Sequence, residues 1–130
     1  MGYDTDRTAF LTIAGEMNGL EGAQASAFFE QGRQRLEALP QVEAVSLVSR
    51  VPLSLNNNGF SVFIDGHQAA AGDEPYAVDG AYVDERYHDV LGLRMISGRG
   101  IQAEDRAEGR RVAVISQTMA RRYWPDREAI

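Results

Sequence analysis

The sequence predicts an α+β fold, a split βαβ (ferredoxin-like) sandwich with helices packed on a mixed sheet. Short apolar, β-branched runs alternate with segments whose apolar residues recur every three or four positions. The first three elements are a strand, a helix and a strand, an order that usually makes the two strands parallel. Because 130 residues are the size of one domain, we expect residues 1–130 to form a single one.

The first βαβ unit consists of three segments. Residues 8–14 are mostly apolar or β-branched, which predicts a buried strand. Residues 23–39 carry an apolar stripe at helical spacing, and Pro40 ends the predicted helix. Residues 42–48 predict the second strand, because their side chains divide into two alternating faces.

Two further strands follow, over residues 60–64 and 76–83. The asparagine-rich residues 56–59 predict a loop before the first of them, since asparagine tolerates a positive φ. An Asp-Gly turn at residues 65–66 ends that strand. Residues 67–75 are small and polar, which predicts a long surface loop.

A short helix is predicted over residues 85–91. Asp84 stands at its N-cap position, and Gly92 supplies the left-handed stop. Residues 98–100 predict a turn, and residues 102–110 predict a charged, exposed segment.

The last two predicted elements are a buried strand over residues 112–115 and a helix that begins at residue 117 and ends at residue 123 or 124. Ser116 is the predicted N-cap, and Pro125 ends the helix. The chain stops soon afterwards at Ile130, which predicts a domain truncated at its C-terminal end.

Composition excludes several classes of site and partner. A net charge of −6 argues against nucleic acid, which requires a cationic surface. Without cysteine there is neither a disulfide nor a thiolate metal site. No run approaches the ~20 apolar residues of a membrane span, and no signal peptide opens the chain. We therefore expect a soluble piece of a longer protein.

The sequence predicts no catalytic, cofactor-binding or metal-ligating residue, and hence no enzyme. His67 and His88 lie 21 positions apart without a metal-ligand motif. No nucleophile elbow surrounds a serine, and the absence of lysine excludes a Walker loop. Adjacent carboxylates usually lie in solvent or cap helices, and the chain has three such pairs: Asp73/Glu74, Asp84/Glu85 and Glu104/Asp105.

Two aromatic groups have alternative interpretations. Phe28 and Phe29 could line a ligand site, but aromatic pairs at helical spacing usually belong to the core. Arginine, tyrosine and tryptophan at residues 121–124 are typical of interface hot spots. The favoured alternative is that Tyr123 and Trp124 pack the last helix on the sheet, which predicts a largely buried Trp124.

Several motifs occur in a fixed order between residues 8 and 127. The Phe-Phe pair of the first helix precedes a Leu-Pro-x-Val-x-x-Val step at residues 39–45 and a Pro-Leu pair at residues 52–53. Residues 83–99 follow the pattern V-x-x-x-Y-x-x-x-L-G-x-x-x-x-x-G-R, and residues 112–125 end in Ala-Arg-Arg-Tyr-Trp-Pro. This ordered set resembles the MacB-like periplasmic core domain of ABC transporter permeases, within the FtsX-like group. The last motif resembles most the permeases that carry two such units.

The resemblance implies a location and a role. It implies a porter-like split βαβ domain in the loop after the first transmembrane helix, on the periplasmic face of the bacterial inner membrane. The full-length protein would be tethered in the membrane, with a companion subdomain after Ile130. A cytoplasmic ATPase subunit or domain would hydrolyse ATP, and this domain would pass the motion to substrate or to a periplasmic adaptor protein. No cofactor is implied.

Two other functions remain open. The first is a free-standing α+β domain that binds a small ligand or regulates another protein, and the second is an enzyme that uses surface carboxylates. Apolar runs of ~20 residues in the parent protein, before and after this domain, distinguish the permease from both. Stabilisation by a small metabolite would favour the ligand-binding domain.

Overall fold

The computed structural model describes residues 6–13, 19–52, 59–64, 76–105, 109 and 111–125, and all structural statements concern these residues. Together, the helices and an antiparallel sheet confirm the α+β class. The elements are, in order, α1 (Gly22–Glu37), β1 (Gly59–Val62), β2 (Tyr76–Asp79), α2 (Tyr87–Val90), a short 3-10 helix (Ala103–Asp105) and α3 (Gln117–Tyr123). None of these helices is long and apolar enough to cross a bilayer.

Strands β1 and β2 form an antiparallel pair in which Phe60 lies opposite Val78 and Val62 opposite Tyr76. These four side chains share one face and are partly buried, while the residues between them are exposed. Alternation of this kind is expected when one face of a sheet packs on the protein and the other meets water. The two predicted strands are therefore confirmed, although each is shorter than expected.

The predicted strand over residues 42–48 is reduced to one antiparallel bridge between Val48 and Val83. Ser49 N donates to Tyr82 O at 2.9 Å, and Asp84 N donates to Leu47 O at 3.2 Å. The bridge places residues 47–49 beside residues 82–84, which follow β2 in the chain. The described pairings are antiparallel, so the parallel strand pair of the βαβ prediction is absent from the described residues.

Residues 8–13 form no strand, so this part of the prediction is wrong; Ala14 lies outside the described residues. The side chains of Phe10, Leu11 and Ile13 are 40%, 69% and 37% exposed. A strand is stabilised by backbone pairing and by a covered face. Residues 8–13 do not join the sheet of the described residues, which is antiparallel and not mixed.

Helix α1 confirms the predicted amphipathic helix to within two residues at either end, and Ala38 caps it shortly before Pro40. The helix has no buried residue. Phe28 is 42% exposed and meets Phe29 edge to face, with ring centroids 5.6 Å apart. The favoured core role is therefore wrong for Phe28, because this side chain remains largely in contact with water.

Helix α2 is shorter than predicted. Its N-cap position is Arg86, without a side-chain cap, so the predicted N-cap at Asp84 is wrong, whereas the predicted stop at Gly92 is confirmed. Asp84 Oδ1 accepts a hydrogen bond from Arg86 N at 3.1 Å, and Gly92 adopts a φ of 63° after the last turn. A side chain in that left-handed region is sterically strained, which explains the glycine.

Helix α3 has the predicted boundaries, and Ser116 Oγ accepts a hydrogen bond from Met119 N at 3.1 Å. The predicted buried strand before it is wrong. Residues 112–115 form no strand, and Val112 and Val114 are 36% and 38% exposed. Their β-branched composition favours an extended backbone, but no described strand pairs with it.

The buried apolar core of the described residues consists of Ile64 and Leu91. Ile64 follows β1 by two residues, and Leu91 is the C-cap residue of α2. With so small a core, polar contacts become important links between segments that are distant in sequence.

Candidate functional site

A cluster of polar groups joins three segments that are far apart in sequence. We call it the polar joint and define it as Glu37, Ser46, Leu47, Asp84 and Arg86. The Asp84 carboxylate is its centre. Oδ1 accepts from Ser46 Oγ at 2.6 Å and from Arg86 N at 3.1 Å, while Oδ2 accepts from Leu47 N at 2.7 Å. Hydrogen bonds to an ionised acceptor are shorter and stronger than neutral ones.

The side chain of Arg86 extends the joint to α1. Its Nη1 donates to Glu37 Oε1 near the C-terminal end of that helix. Glu37 is itself held by Arg33, whose Nη1 lies 3.0 Å from both carboxylate oxygens. The side chains of Arg33 and Glu37 are only 19% and 24% exposed.

Glu30 completes this row of charges on α1. Arg33 Nε donates to Glu30 Oε2 at 3.0 Å, and that hydrogen bond is the main reason why the pKa of Arg33 is raised. Because residues three and four positions apart lie on the same face of a helix, Glu30, Arg33 and Glu37 form a continuous row. The sequence contains this spacing, but nothing in it indicates that Arg86 would join the row.

A second polar cluster closes the turn after α2. Arg99 Nη1 and Nη2 donate to the Asp105 carboxylate at 2.5 and 2.8 Å, and Gln102 N donates to the same carboxylate at 2.9 Å. The hydrogen bond from Arg99 lowers the pKa of Asp105 to about 2. The Asp105 side chain is only 7% exposed, so the prediction of an exposed segment is wrong at this residue.

An open cleft of about 280 Å³ lies beside the hairpin. It is lined by Ser49, Arg50, Gly59, Phe60, Gly80 and Tyr82. Several of its polar groups have partners within the chain: Arg50 Nη2 donates to Asp79 at 2.7 Å, and Tyr82 N donates to Ser49 Oγ at 3.0 Å. The Phe60 and Tyr82 rings meet edge to face at 5.2 Å. The cleft therefore offers mainly aromatic surface.

The aromatic end of α3 packs against the hairpin. The ring centroids of Tyr123 and Tyr76 are 5.1 Å apart, and Arg122 lies over the Tyr123 ring at 5.3 Å. Tyr123 and Trp124 are partly buried, whereas Arg121 and Arg122 are exposed. These contacts favour the packing interpretation over the interface one. The predicted burial of Trp124 is incomplete, since its side chain remains partly exposed.

The residues considered for chemistry do not converge. His67 and the Asp73/Glu74 pair lie outside the described residues. His88 lies on α2 with its Nδ1 buried and without a hydrogen-bond partner, and its ring meets Tyr87 edge to face at 5.7 Å. Within the described ranges, no group of three or more His, Asp or Glu side chains could hold a metal ion. The absence of catalytic, cofactor and metal sites from the whole chain stays a prediction.

The comparison with protein-family models matches residues 3–130 to the MacB-like periplasmic core domain. The chain belongs to this family. Searches of curated proteins and of solved structures each found no significant match. The resemblance predicted from the ordered motifs is thus confirmed, whereas the duplicated-permease type stays a prediction.

Family membership gives the coarse setting of this domain. A MacB-like periplasmic core domain is an extracytoplasmic domain of an ABC transporter permease, in an inner-membrane protein that works with a cytoplasmic ATPase. Domains of this family are generally non-enzymatic. Membership of a family of transporter domains argues against the alternative of a free-standing ligand-binding or regulatory domain.

In this MacB-like periplasmic core domain, the motif residues have structural roles. Leu91 is 2% exposed, Gly92 provides the left-handed stop, and Arg99 holds Asp105. Ser116 caps α3. Asp84 and Arg86 lie between Val83 and Tyr87 of the same motif, so the polar joint includes the start of the segment that the resemblance depends on.

Proposed function

We propose that this domain transmits ATP-driven conformational change from the membrane part of the permease to a substrate or partner protein outside the membrane. It does so without chemistry of its own. The observation that carries the proposal is the polar joint, in which Asp84 and Arg86 connect segments 37 to 49 residues away in sequence. A domain that transmits movement needs such links, because segments without non-covalent contacts between them can move independently.

The small core makes these polar links important. The described buried apolar residues are Ile64 and Leu91, and α1 contributes none. A hydrogen bond to a charged group contributes about 1.5–3 kcal/mol, and partial exposure to water moves it toward the low end. Several such bonds act together at Asp84, so the joint has the strength to hold its segments in one arrangement.

The remaining parts of the proposal concern context. We propose that residues 1–130 are one domain of a longer periplasmic region that continues beyond Ile130 and is tethered to the membrane. The cytoplasmic ATPase acts on it indirectly through the membrane part. A periplasmic adaptor or a substrate protein is its direct partner.

The test follows the position of the domain in the intact permease reconstituted in lipid nanodiscs. The chain has no cysteine, so Ala23→Cys on the exposed side of α1 gives a specific dye site in this domain. Energy transfer from that dye to an acceptor lipid measures the height of the domain above the membrane. We expect the transfer to change when ATP binds and to return after hydrolysis.

Two controls make the result decisive. An ATPase variant that cannot bind ATP should abolish the change, and Ser61→Cys on the exposed face of β1 should report the same movement. Constant energy transfer from both sites during ATP turnover would refute the proposal. The isolated chain should also show no ATP affinity by calorimetry, and a metabolite that stabilises it would favour the ligand-binding alternative.

A further inference from the structure

We propose that Asp84 and Arg86 form a two-armed coupling element that makes α1, the segment of residues 46–49 and the start of α2 move as one unit. This inference rests on the proposed transmitting function and names the residues that perform it. The two arms diverge because residues i and i+2 at the start of a helix point in different directions. The Asp84 arm therefore reaches residues 46–47, and the Arg86 arm reaches Glu37 of α1.

The Asp84 arm is specific for a carboxylate. It accepts one hydroxyl and two backbone N–H groups through two oxygens, at 2.6 to 3.1 Å. In Asp84→Asn one oxygen becomes an NH₂ group, which only donates. Whichever way the amide is oriented, the N–H of Leu47 or that of Arg86 then faces a donor and loses its acceptor. The isosteric variant therefore breaks the arm with almost no change in volume.

The Arg86 arm depends on an acceptor that is already positioned. Glu37 shares its carboxylate between Arg86 and Arg33, and Arg33 is held in turn by Glu30. The row along α1 thus keeps the Glu37 side chain ordered before Arg86 reaches it. Ordering a long side chain in advance reduces the conformational entropy lost when the contact forms.

Few buried apolar side chains support these arms in the described structure. Helix α1 has no buried residue, and β1 with β2 is the only pair of described elements that pack extensively on each other. Loss of one arm should therefore release its segment from the others. It should also loosen the segment held by the other arm, since both arms start from one turn of chain.

Amide hydrogen exchange in the intact permease tests this coupling. In Asp84→Asn, we expect exchange to rise about tenfold not only in residues 46–49 but also in residues 34–38 at the end of α1, which Asp84 does not contact. In Arg86→Gln, we expect the reciprocal effect on residues 46–49. Asp89→Asn and Arg35→Gln, at exposed positions on α2 and α1, serve as matched controls and should change neither region.

If Asp84→Asn accelerates exchange only at residues 46–49 and 84–87, the segments are independent and the coupling element does not exist. Glu37→Gln provides a milder second variant if Asp84→Asn fails to fold; unchanged exchange at residues 46–49 in that variant would equally overturn the proposal. The dye at Ala23→Cys separates the two hypotheses. Coupled exchange without ATP-driven movement contradicts the transmitting function alone, and movement without coupled exchange contradicts the coupling element alone.

Discussion

Leu91→Ala should be among the most destabilising single substitutions in the described part of this domain. Leu91 is 2% exposed, and it shares the described core with Ile64. The substitution removes three buried carbon atoms, worth about 2.4 kcal/mol at ~0.8 kcal/mol each. A residual cavity adds to this, so we expect a loss of about 2.5–4 kcal/mol. Domains of this size are typically stable by about 5–15 kcal/mol, so the loss is a large fraction of the total.

Urea unfolding followed by Trp124 fluorescence measures the effect. Leu39→Ala is the matched control, because Leu39 is 46% exposed and the same chemical change there should cost only about 1 kcal/mol. The slope of the free energy against urea should be unchanged in both variants, which shows that the extent of unfolding is the same. Equal losses for the two variants, or a loss below about 1 kcal/mol for Leu91→Ala, would refute the conclusion that the core lies at the end of α2.

Further predictions concern the ends of helices and one ion pair. Ser116→Ala removes the oxygen that accepts from Met119 N and should cost about 1 kcal/mol in thermal or urea unfolding. Gly92→Ala places a side chain at a φ of 63° and should lower the free energy of unfolding by about 1 kcal/mol. Gly32→Ala lies within α1, where an added Cβ meets no atom within 4 Å, and should raise the free energy of unfolding by about 0.5–1 kcal/mol. Because the pKa of Asp105 is lowered from 3.8 to about 2, the stability that its bond with Arg99 contributes is complete above pH 3.8 and is lost as the pH falls toward 2. Asp105→Asn should therefore flatten the acid side of the stability profile between these pH values, and an unchanged profile would contradict the pairing.

Local signals in the sequence were sufficient for the helices. Ser116 and Pro125 bracket α3, and Gly92 stops α2, because caps and stops act within a few residues of the backbone that they satisfy. The strands of the hairpin were also predictable, since their alternating burial follows from one covered face. Family membership followed from the order of these same motifs.

Strands that depend on distant partners were not predictable in this way. Residues 8–13 and 112–115 have strand composition, yet neither stretch forms a strand, and side chains such as Leu11 and Val114 are exposed. β-propensity describes how well a side chain fits a pleated, half-buried surface. It does not create that surface, so composition alone overestimated the sheet.

The sequence by itself determined the α+β class, the helices with the Ser116 cap and the Gly92 stop, and the family of this domain, because these depend on local periodicity and on motif order. Only the tertiary structure decided what the acidic and basic residues do. Asp84 and Asp105 look alike in sequence as members of adjacent carboxylate pairs. One is the centre of the polar joint and the other holds the turn at Arg99. The Ser46 and Leu47 partners of Asp84 lie 38 and 37 positions away, and no local pattern specifies a hydrogen bond across such distances.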